Sequence, residues 1–261
     1  MENVKLCNLE ENPLKNVVNN GGYCAIFKTI GCIGDSLSSG EFESIDEAGN
    51  MCYHDWYEYS WGQCIARHTG SKVYNFSRGG MTAKEYMESF AEQNGFWGED
   101  KKCQAYIIAL GVNDLLNARW EIGTLDDISK ADYQKNAHTF AGYYAQIIQK
   151  LKTIQPRAKF FLVSMPKGGS WNDEGDAIKK AHRDLLEAFC KCFDNTYLID
   201  LFTYAPTYDE EFYEKYFLGG HMSPVGYLYT AQMIESYIDY IIQKNPREFA
   251  DVCFIGTDLR R

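Results

Sequence analysis

Residues 28–40 read KTIGCIGDSLSSG. The first half of this stretch is apolar and β-branched, and it predicts a buried strand over 29–34. Gly34, Asp35 and Ser36 follow at once, so a serine hydroxyl stands at the carboxyl end of that strand. In open α/β sheets, ligand sites lie beyond the carboxyl ends of the strands. Ser36 is therefore our candidate nucleophile.

Similar apolar runs recur along the chain and alternate with segments of helical period, a pattern typical of βαβ units. The predicted strands are 29–34, 72–75, 105–110, 159–164 and 196–201. The predicted helices are 56–68, 82–93, 132–154, 176–192 and a final helix with Ser223 at its cap and Pro224 in its first turn. This order predicts an α/β fold, a three-layer flavodoxin-like sandwich around a five-stranded parallel sheet of order 2-1-3-4-5. With no linker or internal repeat, we expect a single domain over 1–261, with a core of about 28–244 and irregular arms at both ends.

The composition narrows the range of partners and locations. A formal net charge of -10 leaves no basic cluster for a phosphate backbone, so we expect no nucleic acid. The apolar runs fall short of the roughly 20 residues that cross a bilayer, so we expect no membrane partner. The amino terminus lacks the apolar core of a secretory signal and the nine cysteines are scattered, which favours the cytoplasm. Neither metal nor organic cofactor is predicted, since the only close cysteine pair, Cys190 and Cys192, lacks a metal-binding spacing.

Two further strand ends carry groups suited to stabilising an oxyanion. The second predicted strand runs into a turn over residues 75–82, here called the second turn, which contains Gly80. The third runs into residues 111–114, the third turn, which contains Asn113. Acyl transfer needs hydrogen-bond donors aimed at the developing negative charge. The N–H of Ser36, the N–H of a glycine in the second turn and the side-chain amide of Asn113 are suitable donors.

A base must accept the serine proton, and histidine titrates closest to neutral pH. Of the five histidines, only His221 lies in a Gly-rich turn directly before an amphipathic helix. The others are predicted to be surface or satisfied side chains: His54 and His68 in or beside the helix after the first strand, His138 and His182 within helices. We therefore expect His221 to be the base.

Four ordered segments, Gly-Asp-Ser-Leu at 34–37, the second turn, Gly-Val-Asn-Asp at 111–114 and His-Met-Ser-Pro at 221–224, resemble the four sequence blocks of the SGNH (GDSL) hydrolases. The resemblance spans most of the chain. It implies a serine esterase in which Ser36 attacks an ester and His221 is the base. It also implies an oxyanion hole formed by the N–H groups of Ser36 and Gly80 and the amide of Asn113.

One position departs from the family pattern, which usually has an aspartate three residues before the histidine. That position is Leu218 here, in the sequence Leu-Gly-Gly-His. We expect a Ser-His dyad in which the Leu218 carbonyl, or a water, accepts the second imidazole N–H. The alternative is a carboxylate folding back from Asp209, Glu211 or Glu214.

Other polar and aromatic residues receive structural interpretations. Asp35 is expected to cap the following helix or bond a neighbouring loop, Asp114 to fix a loop, and Arg78 to pair with an acidic residue. The five tryptophans are candidates for pocket walls: Trp56, Trp61, Trp97, Trp120 and Trp171. Trp120 and Trp171 are the leading two, and each is equally compatible with core or rim packing.

The sequence thus predicts a carboxylic ester hydrolase acting on a small acyl ester, with an O-acetylated carbohydrate as the first candidate. A lipase, lysophospholipase or thioesterase would use the same residues. A catalytically silent glycan-binding module is the rival from another class, suggested by the missing aspartate. The sequence does not indicate an oligomeric state.

Overall fold

The computed structural model describes residues 12–15, 17–18, 20–169 and 172–260. Trp171 and residues 1–11, which include most of the segment inspected for a secretory signal, lie outside the described residues. The strands are β1 (Thr29–Gly34), β2 (Glu41–Ile45), β3 (Met51–Asp55), β4 (Lys72–Asn75), β5 (Ala105–Ala109), β6 (Lys159–Val163), β7 (Thr196–Ile199), β8 (Phe217–Leu218) and β9 (His221–Met222). The α-helices are α1 (Ser36–Ser39), α2 (Trp61–Thr69), α3 (Ala83–Glu85), α4 (Ala91–Gln93), α5 (Phe140–Ile154), α6 (Asn172–Cys192), α7 (Leu201–Tyr204), α8 (Glu210–Tyr216) and α9 (Pro224–Lys244).

The central sheet has the order β4-β1-β5-β6-β7, and all four strand pairings are parallel. Counted along the chain, these five strands have the order 2-1-3-4-5, so the predicted flavodoxin-like topology is confirmed. The apolar runs located β1 and β4 to the residue and placed the other three strands one or two residues too long. All five carboxyl ends meet at one edge, called the carboxyl edge below.

Alternate strand residues face two apolar layers, which explains why the strands read as continuous hydrophobic runs. Ile107 and Phe161 belong to a cluster that includes residues of α2 and α9. Ile108 and Leu162 belong to a second cluster that includes residues of α5 and α6. The sheet is therefore buried on both faces, and polar groups that can reach solvent concentrate beyond its edges.

The expected helix over 56–68 is wrong in its first part. The helix α2 begins at Trp61, after the Ser60 hydroxyl that accepts the Gln63 N–H. Before it, β2 and β3 form an antiparallel hairpin in which Glu43 pairs with Tyr53. The alternation that marks a strand is weak here because β3 has no fully buried residue and only Phe42 of β2 is buried. His54 lies on this hairpin, not in or beside a helix.

Other helices differ from expectation mainly at their starts. The predicted helix over 132–154 begins only at Phe140, where Thr139 is the N-cap. His138 consequently precedes the helix. The predicted helix over 82–93 is interrupted between α3 and α4 by a π-helical turn, Tyr86–Phe90. The final helix begins at Pro224 with Ser223 as its N-cap, as predicted.

The described parts of the two terminal segments pack on the sheet. Phe27 and Phe249 are buried in the same cluster as Phe161, and their rings lie 5.8 and 6.4 Å from the Phe161 ring. Short 3-10 turns, Gly22–Ile26, Pro246–Phe249 and Val252–Phe254, replace regular helices there. Within the described ranges, no helix combines the length and the apolar character needed to span a bilayer.

Candidate active site

A cavity of about 390 Å³ opens at the carboxyl edge. Its wall includes Ser36, Gly80, Asn113 and His221, the four residues singled out in the sequence. They come from the ends of β1, β4 and β5 and from the segment before α9. Residues separated by up to 185 positions in the sequence thus line one space.

Ser36 occupies the first position of the four-residue helix α1. The N-cap is Asp35, whose Oδ1 accepts the Leu37 N–H at 3.1 Å, so the expected capping role of Asp35 is confirmed. Burial raises the pKa of Asp35 to about 6. The N–H of a first helical residue has no intrahelical partner, so the Ser36 N–H is available to a bound group. Because α1 begins two residues after the last residue of β1, Ser36 presents both its hydroxyl and its N–H group at the strand end.

The second and third turns meet beside Ser36. Gly80 has φ of +71°, a conformation that favours glycine. The Nδ2 of Asn113 donates to the Met81 carbonyl at 3.2 Å, and its Oδ1 accepts from Asn117 Nδ2 at 2.9 Å. Both bonds hold the amide in place, and Nδ2 keeps a second N–H for a ligand.

Asp114 ties the third turn to the start of α3. Its Oδ1 accepts the Ala83 N–H at 2.9 Å, so the predicted loop-fixing role is confirmed. The carboxyl group is almost fully buried, and burial raises its pKa to about 7. Asp114 therefore braces the two turns that carry Gly80 and Asn113.

His221 opens the two-residue strand β9, and its Nδ1 lies 2.8 Å from Oε1 of Glu43. The second oxygen of Glu43 accepts the Gly220 N–H at 3.0 Å. The expected acceptor, the Leu218 carbonyl, is not the group described at Nδ1; Leu218 pairs with His221 across the β8–β9 ladder, and the Glu43 carboxylate lies at Nδ1. The preference for a main-chain or water acceptor is corrected to a carboxylate from the β2–β3 hairpin.

The acidic residues considered as alternatives are engaged elsewhere. Asp209 is the N-cap of α8 and accepts the Phe212 N–H at 3.0 Å. Glu211 forms an ion pair with Lys215 on the exposed side of the same helix. Glu214 is exposed, and no described contact joins it to His221. None of the three is the partner of the imidazole.

A second carboxylate, Glu41, lines the cavity on the other side of the imidazole. Its Oε1 lies 3.3 Å from His221 Nε2, and a Cβ added to Gly79 would collide with Oε2. Burial raises the pKa of Glu41, while the nearby His221 opposes that shift. Sequence analysis missed both Glu41 and Glu43. Their spacing of two, with Phe42 between them, is the signal that places both carboxylates on one face of a strand.

The remaining histidines have other surroundings. His54 lies 2.7 Å from the Ser44 hydroxyl, His68 2.9 Å from Glu235, and His138 stacks on Tyr143. His182 is fully buried beside Phe140, so the surface alternative is wrong for it, and burial lowers its pKa to about 4. In the described ranges, His221 is the sole histidine on the cavity wall.

Trp120, Trp61 and Arg78 have different surroundings. Trp120 packs against Tyr143 and is covered by Lys84, away from the cavity. Trp61, another of the tryptophans that the sequence offered as pocket walls, lines the cavity instead. Arg78 pairs with Glu85 at 2.6 Å, as expected.

A model of the GDSL-like Lipase/Acylhydrolase family matches residues 32–228. The matched range contains the carboxyl end of β1, Ser36, the second and third turns and His221, and it covers more than half of the chain. A comparison with curated proteins gave no match.

Solved structures with the same fold include esterases. The chain is similar to Est24, a carbohydrate acetylesterase from Sinorhizobium meliloti, with 15% identity, a TM-score of 0.57 and coverage of 82% of this chain and 99% of that one. It is similar to a putative lipolytic protein of the G-D-S-L family from Desulfitobacterium hafniense, with 16% identity, a TM-score of 0.51 and coverage of 80% and 99%. A carbohydrate esterase family 2 enzyme with a carbohydrate binding domain from Corynascus thermopiles has 16% identity, a TM-score of 0.56 and coverage of 81% and 65%. At these identities the likeness concerns the fold.

Proposed function

The chain belongs to the GDSL-like lipase/acylhydrolase family, and on that basis we propose that it hydrolyses a small acyl ester with Ser36 as nucleophile and His221 as base. The observation that carries the proposal is the meeting of Ser36, Gly80, Asn113 and His221 on one cavity wall. Family membership makes the protein an ester hydrolase; the residue roles and the substrate are the proposal.

The first half of the reaction forms an acyl-enzyme. The Ser36 Oγ attacks the ester carbonyl carbon while His221 Nε2 takes the hydroxyl proton. The carbonyl oxygen becomes an oxyanion, which accepts hydrogen bonds from the Ser36 and Gly80 N–H groups and from Asn113 Nδ2. When the tetrahedral intermediate collapses, the carbon–oxygen bond to the alcohol breaks and Nε2 returns the proton to the leaving alkoxide.

The second half releases the acid. A water molecule gives a proton to Nε2 and attacks the acyl carbonyl, and the same donors stabilise the second oxyanion. Collapse breaks the bond to Ser36 Oγ, which recovers its proton from Nε2. No cofactor enters either half, because the bonds that form and break need only proton transfer.

An O-acetylated carbohydrate is our proposed substrate. Its support is the carbohydrate esterases among structures of the same fold, together with a cavity in which Glu41 offers a hydrogen-bond acceptor to a sugar hydroxyl. One observation favours a longer acyl chain, and with it a lipase or thioesterase: the cavity wall includes the apolar side chains of Leu116, Val163 and Met165. A catalytically silent binding module was suggested by the missing aspartate at position 218. That reason no longer holds, because the His221 imidazole has Glu43 as a carboxylate partner.

The experiment that tests the proposal compares wild type with Ser36→Ala on p-nitrophenyl acetate. We expect the variant to lose ester hydrolysis while its thermal unfolding is unchanged. Ser89→Ala, a serine beyond the second turn that bonds to the Glu85 carbonyl, is the matched control and should keep full activity. Hydrolysis that persists in Ser36→Ala would exclude this nucleophile, and a wild type that hydrolyses no activated ester would support the silent binding module.

A further inference from the structure

We propose that Glu43, carried by the β2–β3 hairpin, is the positioning residue that orients His221 and stabilises its protonated form. This inference rests on the proposed function, since it assigns a role relative to His221 as base. The family pattern puts an aspartate three residues before the histidine, where this chain has Leu218. Here the carboxylate comes from a different element, 178 residues earlier in the chain.

The two oxygens of Glu43 bind two groups of the same turn. Oε1 lies 2.8 Å from His221 Nδ1, and Oε2 accepts the Gly220 N–H at 3.0 Å. The Gly220 bond is the main cause that lowers the pKa of Glu43, and the bond to His221 acts in the same direction. Glu43 is therefore a carboxylate at neutral pH, fixed at both oxygens rather than free to rotate.

The glycines before His221 leave the space that Glu43 occupies. A Cβ at Gly220 would lie 2.7 Å from Oε1 of Glu43, and a Cβ at Gly219 would collide with Oε2. Gly219 also has φ of +75°, which a side chain would strain. The Leu-Gly-Gly-His sequence therefore suits the position of Glu43. Leu218 stands where the family usually has an aspartate, and the two glycines after it leave space for the Glu43 carboxylate.

The hairpin is anchored on the side away from Glu43. Phe42 is buried, and its ring lies 5.4 Å from Tyr227 and 5.7 Å from both Trp56 and Tyr59. The Tyr227 hydroxyl donates to the Glu41 carbonyl at 2.7 Å. Because neighbouring strand residues point to opposite sides, burial of Phe42 turns Glu41 and Glu43 toward His221.

The other carboxylate cannot take the same role. Glu41 lies on the Nε2 side of the ring, which must receive the proton of Ser36. In the neutral imidazole, Glu43 accepts the Nδ1–H and leaves Nε2 unprotonated. When Nε2 takes the serine proton, the positive charge stays on the ring beside Glu43, which itself remains ionised.

The test compares kinetics of Glu43→Gln with wild type. The amide keeps the size of the side chain but removes the charge and presents an N–H group as readily as an oxygen to Nδ1. We expect kcat to fall about 10²- to 10⁴-fold, while KM changes by less than about threefold. Glu47→Gln, in the exposed turn of the same hairpin, is the matched control and should retain wild-type kinetics. Wild-type kinetics in Glu43→Gln would overturn the proposal.

A double-mutant cycle separates positioning from a structural effect. Because Glu43 acts through the imidazole, Glu43→Gln should cause no further loss when added to His221→Ala. Independent, multiplying losses would mean that Glu43 acts elsewhere and would overturn the inference. If Ser36→Ala hydrolyses esters as well as wild type, the proposed function itself has failed. If Ser36→Ala loses activity but Glu43→Gln keeps wild-type kinetics, the proposed function stands and only this inference fails.

A measurement on the wild type covers the case in which Glu43→Gln does not fold. The ¹⁵N shifts of the His221 ring report which nitrogen carries the proton in the neutral form. We expect the proton on Nδ1, in a hydrogen bond that shifts its ¹H resonance strongly downfield. A neutral ring protonated on Nε2 would overturn the inference, because Glu43 then has no N–H to accept.

Discussion

Asn113 is held from two directions before any substrate arrives. Its amide donates to the Met81 carbonyl of the second turn, and its carbonyl accepts from Asn117. In the proposed mechanism, a donor fixed in advance does not have to reorganise as the oxyanion forms. An amide is also neutral at every working pH, so this donor does not titrate.

Replacing Asn113 tests the oxyanion hole at the scale of one residue. In Asn113→Ala we expect kcat to fall about 10²- to 10³-fold with little change in KM, because the lost bond strengthens in the transition state. Steady-state kinetics on an acetyl ester measures both constants. Asn94→Ala, an exposed asparagine that bonds to the Phe90 carbonyl, should behave as wild type. A rise in KM at constant kcat would show that Asn113 binds the ground state instead.

At the scale of elements, the site depends on two braces between segments distant in the chain. The β2–β3 hairpin brings Glu43 to His221, and Asp114 joins the third turn to α3. The second brace has an electrostatic cost. Asp114 is buried, no cation of the described residues contributes to its pKa, and burial raises that pKa to about 7.

The raised pKa of Asp114 predicts how stability depends on pH. Between its ordinary value of 3.8 and about 7, the folded state binds more protons at this carboxyl than the unfolded state does. The free energy of unfolding should therefore decrease as pH rises from 5 to 8, with a slope of at most about 1.4 kcal/mol per pH unit from this group. The raised pKa of Asp35, about 6, contributes with the same sign.

Urea unfolding at several pH values checks this expectation. Asp114→Asn keeps an oxygen that can accept the Ala83 N–H and removes the titration. Its unfolding free energy should change less between pH 5 and 8 than that of wild type. An equal pH dependence in the two proteins would contradict the assignment to Asp114.

The same two braces show what the sequence could and could not predict. The strand end at Ser36 and the turns with Gly80 and Asn113 were predicted because each is a local pattern, an apolar run followed by Gly and polar residues. The hairpin was missed because β3 has no buried residue, so hydrophobic alternation is faint, and helical periodicity was extended back over 56–60. The contact of Glu43 with His221 spans 178 positions, and the sequence near either residue carries no sign of it beyond the two glycines.

At the scale of the whole molecule, the size and lining of the cavity bear on the acyl group that the proposed reaction would accept. The cavity volume is about 390 Å³, and its wall combines the carboxyl groups of Asp35 and Glu41 with apolar side chains such as Leu116 and Met165. Size and polarity therefore decide between a small acetyl group and a longer chain. The net charge of -10 further disfavours anionic substrates over neutral ones.

A chain-length series of p-nitrophenyl esters tests this limit. We expect kcat/KM to be highest for acetate and to decline as the acyl chain lengthens to octanoate. The rate measured with Ser36→Ala at each chain length is subtracted, which removes hydrolysis that does not depend on Ser36. A maximum at a long chain would replace the acetylesterase with the lipase or thioesterase alternative while leaving the residue roles intact.

The central claim is that Ser36 is a nucleophile activated by His221. Covalent labelling with a fluorophosphonate, followed by mass spectrometry of the peptides, tests it most directly, because the reagent phosphonylates only an activated serine. We expect a single adduct on Ser36 in wild type and much slower labelling in His221→Ala. An adduct on a different serine, or labelling of Ser36 that is equally fast without His221, would contradict it.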